Sequence, residues 1–421
     1  MIAGVTAATD QSRLQRRTLF TLIGSVGPAG MGMAGGFAAT TLASREIVEN
    51  ESLATLAATM ISIGGALTAV PLSRFMARRG RRPGLRIGWT IAGLGALLAV
   101  IAVETSTYPL LVLGTLCIGA GNGTNLAARY AAADLADDDK RARSIGILVW
   151  ASSIGSILGP TVALGATEPP AEWLGFKALS GPYLMAIVVF ALAATIVEVF
   201  LRPDPLLTAT GGDGMTAPAR PSLKESFARI ATNRLAVIAA GAMAVGQGVM
   251  VAVMTVTPLH MEDGAHEKEI IGLVISLHIV GMYLFAPVVG WLVDRLPSSL
   301  IVGIAGVTLF IGGEMASHAD AEDRLGVFTG LFLIGLGWSF AMISGSSLLT
   351  GAFGVAERAS IQGAADFTMT TSGAAAGLAS GVVVEASSYH SLSHWAGVAA
   401  LSLVAAALYP AVTRVRTPER V

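Results

Sequence analysis

The stretch Ser73-Arg74-Phe75-Met76-Ala77-Arg78-Arg79-Gly80-Arg81-Arg82 joins two apolar runs, and a fragment of the same pattern, Gly290-Trp291-Leu292-Val293-Asp294-Arg295, stands at the matching place in the second half of the chain. Around these loops the halves echo each other. Gly64, Arg78, Arg141, Ala142 and Gly146 return at one constant offset as Gly281, Arg295, Arg358, Ala359 and Gly363. A duplicated set of apolar helices predicts two halves able to rock around a shared site at the bilayer midplane, and so predicts transport.

Composition agrees. The 421 residues are 53% hydrophobic and only 13% charged, with a mean hydropathy of +0.68, well below the roughly 25% charged residues of a soluble domain. Fifty glycines suit close helix approach in lipid, where small residues replace the hydrophobic effect as the packing device. A net charge of −1 excludes a broad polybasic surface for nucleic acid. The single cysteine, Cys117, forms no disulfide within the chain, and no metal cluster or cofactor is expected. Arg13, Arg16 and Arg17 precede an apolar segment too long for a signal-peptide core, which reads as a retained first span.

Apolar stretches of about 20 residues cross the hydrocarbon. The expected spans are 18–42, 52–77, 84–104, 109–131, 144–166, 180–201, 235–259, 269–293, 299–317, 325–352, 360–386 and 393–413. With the N-terminus inside, nearly all lysines and arginines fall in cytoplasmic segments, and the opposite side holds only Arg45, Lys177, Lys268 and Arg324. That bias places both termini in the cytoplasm of a multi-pass plasma-membrane protein. Pro203, Pro205, Gly211, Gly212, Gly214, Pro218 and Pro221 mark a linker between halves. The expected domains are a six-helix bundle over 1–203, a cytoplasmic linker over 204–232 and a second six-helix bundle over 233–421. Ser222 and Glu225 form a capping box for a short interfacial helix through Ile230, a frayed start to span seven being the alternative.

The two quoted loops are complementary fragments of one signature, Gly-x-Leu-x-Asp-Arg-x-Gly-Arg-Arg, and here the chain resembles the major facilitator superfamily, closest to its twelve-span drug/proton antiporters. The resemblance implies an all-α membrane protein of twelve transmembrane helices in two pseudo-symmetric six-helix bundles. The first copy keeps Arg78, Gly80, Arg81 and Arg82 but has Ser73 for the glycine and Ala77 for the acid. The second keeps Gly290, Leu292, Asp294 and Arg295 and lacks the basic tail. The resemblance implies that Asp294 contacts the exposed N–H groups and positive dipole at the start of span five. Ala77 cannot do the same at span eleven, so Asp366, about two turns into that span, is expected to reach Arg78 or Arg74. Simple charge anchoring is the plainer reading of Arg79, Arg81 and Arg82. Arg141 and Arg358 resemble the acid-then-Arg hinge before spans five and eleven, with a solvated turn as the plainer reading.

Span five carries Gly155, Gly159, Pro160 and Gly165, similar to an antiporter motif. Small residues four apart admit a facing helix, and proline bends the span. On span four, Thr115, Asn122, Asn125 and Arg129 share one face. Unsatisfied polar groups in hydrocarbon cost several kcal/mol each, so that face turns to a cavity or another helix. The family's antiporter arginine aligns with Thr115 and is missing. Arg129 lies lower, where snorkelling or a pair with Asp134 competes with a substrate or proton role.

Further substrate candidates are Gln247, Met243 and Met250 on span seven and Trp338, Ser339 and Met342 on span ten, an adaptable wall for hydrophobic solutes unless the methionines merely pack. Proton candidates are Asp366 and His278, with Glu314 behind them and Arg129 alongside. The expected function is proton-coupled export of amphipathic or hydrophobic small molecules by a monomer whose partners are substrate, protons and lipid. The alternatives are a uniporter or proton symporter importing a polar metabolite, and a non-transporting membrane sensor. No phosphate loop supports an ATP-driven pump, and no nucleophile or metal cluster supports an enzyme.

Overall fold

The computed structural model describes the backbone of residues 2–48, 51–211, 221–264 and 268–408. Every long element among them is helical, as lipid requires of a chain that must satisfy its backbone within each segment. The helices are α1 (Ile2–Ile47), α2 (Glu51–Arg79), α3 (Arg81–Glu104), α4 (Tyr108–Ala131), α5 (Arg141–Ala166), α6 (Glu168–Trp173), α7 (Gly181–Phe200), α8 (Pro205–Ala209), α9 (Leu223–Thr232), α10 (Arg234–Asp263), α11 (Lys268–Tyr283), α12 (Ala286–Arg295), α13 (Ser298–His318), α14 (Arg324–Ala352), α15 (Val355–Ala386) and α16 (Tyr389–Ala407). Twelve spans follow when α11 and α12 are counted together. Ten have the length and hydropathy to cross a membrane. The other two are glycine-rich α1 and α16, which opens on Tyr389, His390 and His394.

Several ends differ from expectation. Helix α1 starts at Ile2, well before the apolar stretch, and α15 and α16 each begin a turn early. Span eight breaks at Leu284 and Phe285 because Pro287, near the start of α12, has no N–H to donate and its ring crowds the preceding turn. The expected short helix is α9. The middle of the expected linker, 212–220, and the tail of span twelve beyond 408 lie outside the described residues.

The chain forms two compact units. One comprises Met1–Asp137, Ala151–Leu223 and Gly354–Phe367; the other comprises Asp138–Trp150, Lys224–Phe353 and Thr368–Val421. Helices α5 and α15 thus each contribute to both. In the first unit α2 and α3 flank α4, and α7 packs on α1 and α3. Trp89 and Phe190 stack at 6.0 Å, and Thr40 Oγ1 shares a hydrogen bond of 3.0 Å with Tyr183 Oη. In the second, α14 packs on α10, α11 and α13, and α16 packs on α13 and α10. There Thr257 Oγ1 meets Tyr389 Oη at 3.1 Å. Thr257 is the repeat partner of Thr40, so the echo extends to a threonine–tyrosine clasp in each unit. Leu94, Val188, Leu192, Leu378 and Val382 remain exposed, an outer surface suited to lipid tails.

Candidate functional site

The first unit contains a buried cluster of four charges at its basic-loop end. Gly80 sets its entrance with φ at +94°, a backbone state that favours glycine, and a Cβ there would collide with Asp204. Asp204 accepts from the Arg82 N–H at 2.7 Å and from Leu206 and Leu207 N–H at 3.0 and 3.2 Å, tying the start of α3 to the start of α8. Held this way, Arg81 points inward. Its Nε and Nη2 donate to Asp134 at 2.8 and 3.3 Å, and Nη2 also donates to Gln362 Oε1 at 2.7 Å. The Arg81 and Asp134 side chains are 1% and 0% exposed.

One turn further along α15 the second pair forms. Arg129 Nη2 donates to Asp366 Oδ1 at 2.5 Å and to Tyr130 Oη at 3.1 Å, and Tyr130 donates to the same Asp366 oxygen at 3.1 Å. These groups are also buried, Arg129 at 2% and Asp366 at 6%. Two guanidinium groups and two carboxylates make a formally neutral set. Only neutrality and dense hydrogen bonding make such burial tolerable, since each ion alone costs several kcal/mol to desolvate. Adding a proton to Asp366 turns this neutral set into one with a net positive charge.

This geometry corrects three expectations. Arg81 is no surface anchor, because Asp134 and Gln362 hold it inside. Arg129 neither snorkels nor takes Asp134, which Arg81 occupies. Asp366 meets Arg129 and Tyr130 rather than Arg74 or Arg78, and Arg78 is exposed in the last turn of α2. Tyr130, Gln362, Asp134 and Asp204 were not among the candidate site residues. Only Tyr130 has a charged neighbour in sequence, Arg129; Asp134, Gln362 and Asp204 stand between uncharged residues and carry no signal beyond their own polarity.

The two repeat copies close differently. In the second unit Asp294 accepts from the N–H groups of Ala142 and Arg143 at 2.9 and 2.8 Å, so its carboxylate sits on the positive end of α5. This is where the resemblance places it. Gly146 and Gly290 have no room for a Cβ against Ala286 and Ala142, respectively. Arg295 lies 4.4 Å over the Trp291 ring, and Arg141 pairs with Asp138 of its own loop. In the first unit Ala77 buries itself against Ala359 and Leu206 with Val355 beside them. An apolar contact stands where its repeat partner has a carboxylate. Arg358 is half-buried in the first turn of α15.

On α5, Gly155 and Gly159 bring the helix against the α1 backbone at Gly27, Gly30 and Met31. The side chain of Pro160 lies outside the described residues, as does the side of Gly165. The polar face of α4 is shared out among neighbours. Asn122 lies against Gly65 of α2, Asn125 accepts from Ser152 Oγ at 3.1 Å, and Thr115 is fully buried with its hydroxyl on the Val112 carbonyl.

In the second unit Trp338 Nε1 donates to Gln247 Oε1 at 2.7 Å, and Tyr283 meets the indole edge-on at 5.8 Å. Met243 is buried against Gly345, and Met342 and Met250 are buried too, so in this conformation the methionines pack between helices. Ser339 is buried with its hydroxyl lacking a partner. His278 is buried on α11 and its Nδ1 meets the Leu331 carbonyl at 2.7 Å, which joins α11 to α14.

A sequence model described as Major Facilitator Superfamily matches residues 20–378. The chain belongs to the Major Facilitator Superfamily. This facilitator is 35% identical to the uncharacterized MFS-type transporter YdeG of Bacillus subtilis (strain 168), over 95% of this chain and 93% of that one. It is 26% identical to the riboflavin transporter RfnT of Brucella anthropi, over 89% of this chain and 90% of that one. Its fold matches the crystal structure of the E. coli fucose:proton symporter FucP with a TM-score of 0.70 and 16% identity, over 91% of this chain and 97% of that one. The facilitator is therefore a multi-pass membrane carrier and not an enzyme.

Proposed function

We propose that this facilitator is a secondary active transporter that exchanges protons for amphipathic or hydrophobic small molecules and exports them by alternating access. It acts as a monomer in the cell membrane with both termini cytoplasmic, two six-helix bundles over 1–203 and 233–421, and a linker over 204–232. The observation that carries the reading is the buried Arg129–Asp366–Tyr130 contact. A carboxylate whose only tolerable buried state is paired can take a proton when water reaches it, and losing the pair loosens α15 at its basic end. Asp294 on α5 and the apolar Ala77 contact serve as the remaining gates, with Gly155, Gly159 and Pro160 allowing α5 to adjust.

Efflux is supported by the glycine–proline pattern of α5. Substrate contacts are assigned to Asn122, Asn125 and Gln247 with Trp338, Ser339, Met243, Met250 and Met342. A second reading, uniport or proton symport of a polar metabolite, is favoured by the amide groups and by the riboflavin-transporting relative. Proteoliposomes with an imposed pH gradient and a labelled panel of lipophilic cations, riboflavin, sugars and amino acids separate the two. Extrusion driven by the gradient supports exchange; transport indifferent to it removes proton coupling; uptake of sugars, amino acids or riboflavin alongside protons reverses the direction.

A further inference from the structure

In the second unit α13 and the last turns of α16 leave a groove of about 530 Å³ between them. Val307 and Val404 line it, as does Gly303, where a Cβ would lie 3.2 Å from that of Ala407. Val307 is exposed, so the groove opens on the surface of the helix pair. Along α13 the lining runs from Ser299 to Thr308, about 14 Å at about 1.5 Å per residue. That is the depth of one leaflet of hydrocarbon, half of about 30 Å.

Its two ends differ in polarity. At one end Thr308 turns its hydroxyl to the Ile304 carbonyl at 2.7 Å, which leaves the lining there apolar. At the other end Ser299 is 7% exposed, and its hydroxyl has no hydrogen-bond partner among the described residues. Helix α13 opens there on Pro297 with no side-chain cap. The Pro297 carbonyl accepts from Leu300 and Ile301, while the N–H groups of Ser298 and Ser299 have no acceptor among the described residues. Three donors and the positive end of a helix thus stand at one end of an apolar channel. Arg295 closes α12 two residues before Pro297, its guanidinium 4.4 Å over the exposed Trp291 ring, and adds a cation to this stretch of chain.

We infer that the groove binds one anionic phospholipid, with its phosphate on Ser298 and Ser299 and one acyl chain lying along α13 as far as Thr308. The phosphate supplies the acceptors that the three donors lack, and its charge suits the helix end and Arg295. The chain fills a groove one leaflet deep. Free phosphate leaves the apolar length unfilled, and an apolar helix of a second copy would bury the donors without acceptors, which is unfavourable in lipid. The seated lipid touches both α13 and α16 and so holds one on the other.

The site rests on the proposed orientation only for its leaflet, the cytoplasmic one, and its test involves no transport. Native mass spectrometry of the delipidated full chain in detergent tests it, with phosphatidylglycerol, diacylglycerol and inorganic phosphate as separate probes. One phosphatidylglycerol is expected to bind about tenfold more tightly than diacylglycerol, and inorganic phosphate to leave no adduct. Ser299→Ala is expected to weaken phosphatidylglycerol about fivefold and leave diacylglycerol unchanged. Val307→Trp fills the groove from an exposed position and is expected to abolish one-to-one binding at an unchanged melting temperature. Equal binding of phosphatidylglycerol and diacylglycerol, the mark of annular lipid only, overturns the site. So does a wild-type chain that retains no lipid, a stable adduct with inorganic phosphate alone, binding that survives in folded Val307→Trp, or a dimer that Val307→Trp dissociates.

Discussion

At the scale of single residues, Arg129 and Asp366 carry the largest consequences. Arg129→Met leaves the Asp366 carboxylate buried without its cation, which costs about 3–5 kcal/mol. A lower melting temperature in detergent is expected, with most of the loss recovered in the Arg129→Met/Asp366→Leu pair. Simple addition of the two single effects would refute a direct pairing. Gly80→Ala demands a left-handed backbone of a residue with a Cβ, and it drives that Cβ into Asp204. A loss of about 1–3 kcal/mol is expected, measured as thermal stability, and an unchanged melt contradicts the tie between α3 and α8. None of these pairings was legible in advance. Periodicity says that Thr115, Asn122 and Arg129 share a face of α4, but not which helix meets it. The carboxylate that answers Arg129 lies on α15, more than half the chain away.

At the scale of helices, repeat arithmetic was the more powerful guide. The halves of the duplicated loop signature located Asp294 and the missing acid at Ala77, and both α5 and α15 begin where those loops meet them. What replaced the acid was hidden. Leu206 sits in a proline-rich stretch that reads as linker, and only the fold reveals α8 there, capped by Asp204 and packing Leu206 on Ala77 and Ala359. Methionine spacing gave an equally incomplete signal, since Met243 satisfies it by packing α10 against Gly345 of α14, and Met342 is buried. Asp294→Asn retains one acceptor and removes the charge on the α5 terminus, a change of about 0.3–1 kcal/mol. The expected result is a two- to five-fold shift, roughly RT-scaled, in the ratio of the two access states read by cysteine labelling. An unaltered ratio would show that the contact does not report on access.

At the scale of the whole molecule, twelve spans, the echo and the basic loops were readable because lipid admits few ways to satisfy a backbone, and a duplicated bundle leaves its mark at several matched positions. The buried charge pairs were less readable, because nothing in the sequence says which carboxylate is buried against which cation. The two repeat copies divide the work. Asp294 sits on a helix end, whereas Asp366 is held by a buried cation and a phenol, so the proposed protonation is assigned to the first unit. Asp366→Asn is the most direct measurement, in proteoliposomes loaded with a compound that the wild type moves. The variant is expected to exchange that compound down its own gradient while an imposed pH gradient no longer drives accumulation. Gradient-driven transport at the wild-type rate would contradict coupling through this pair.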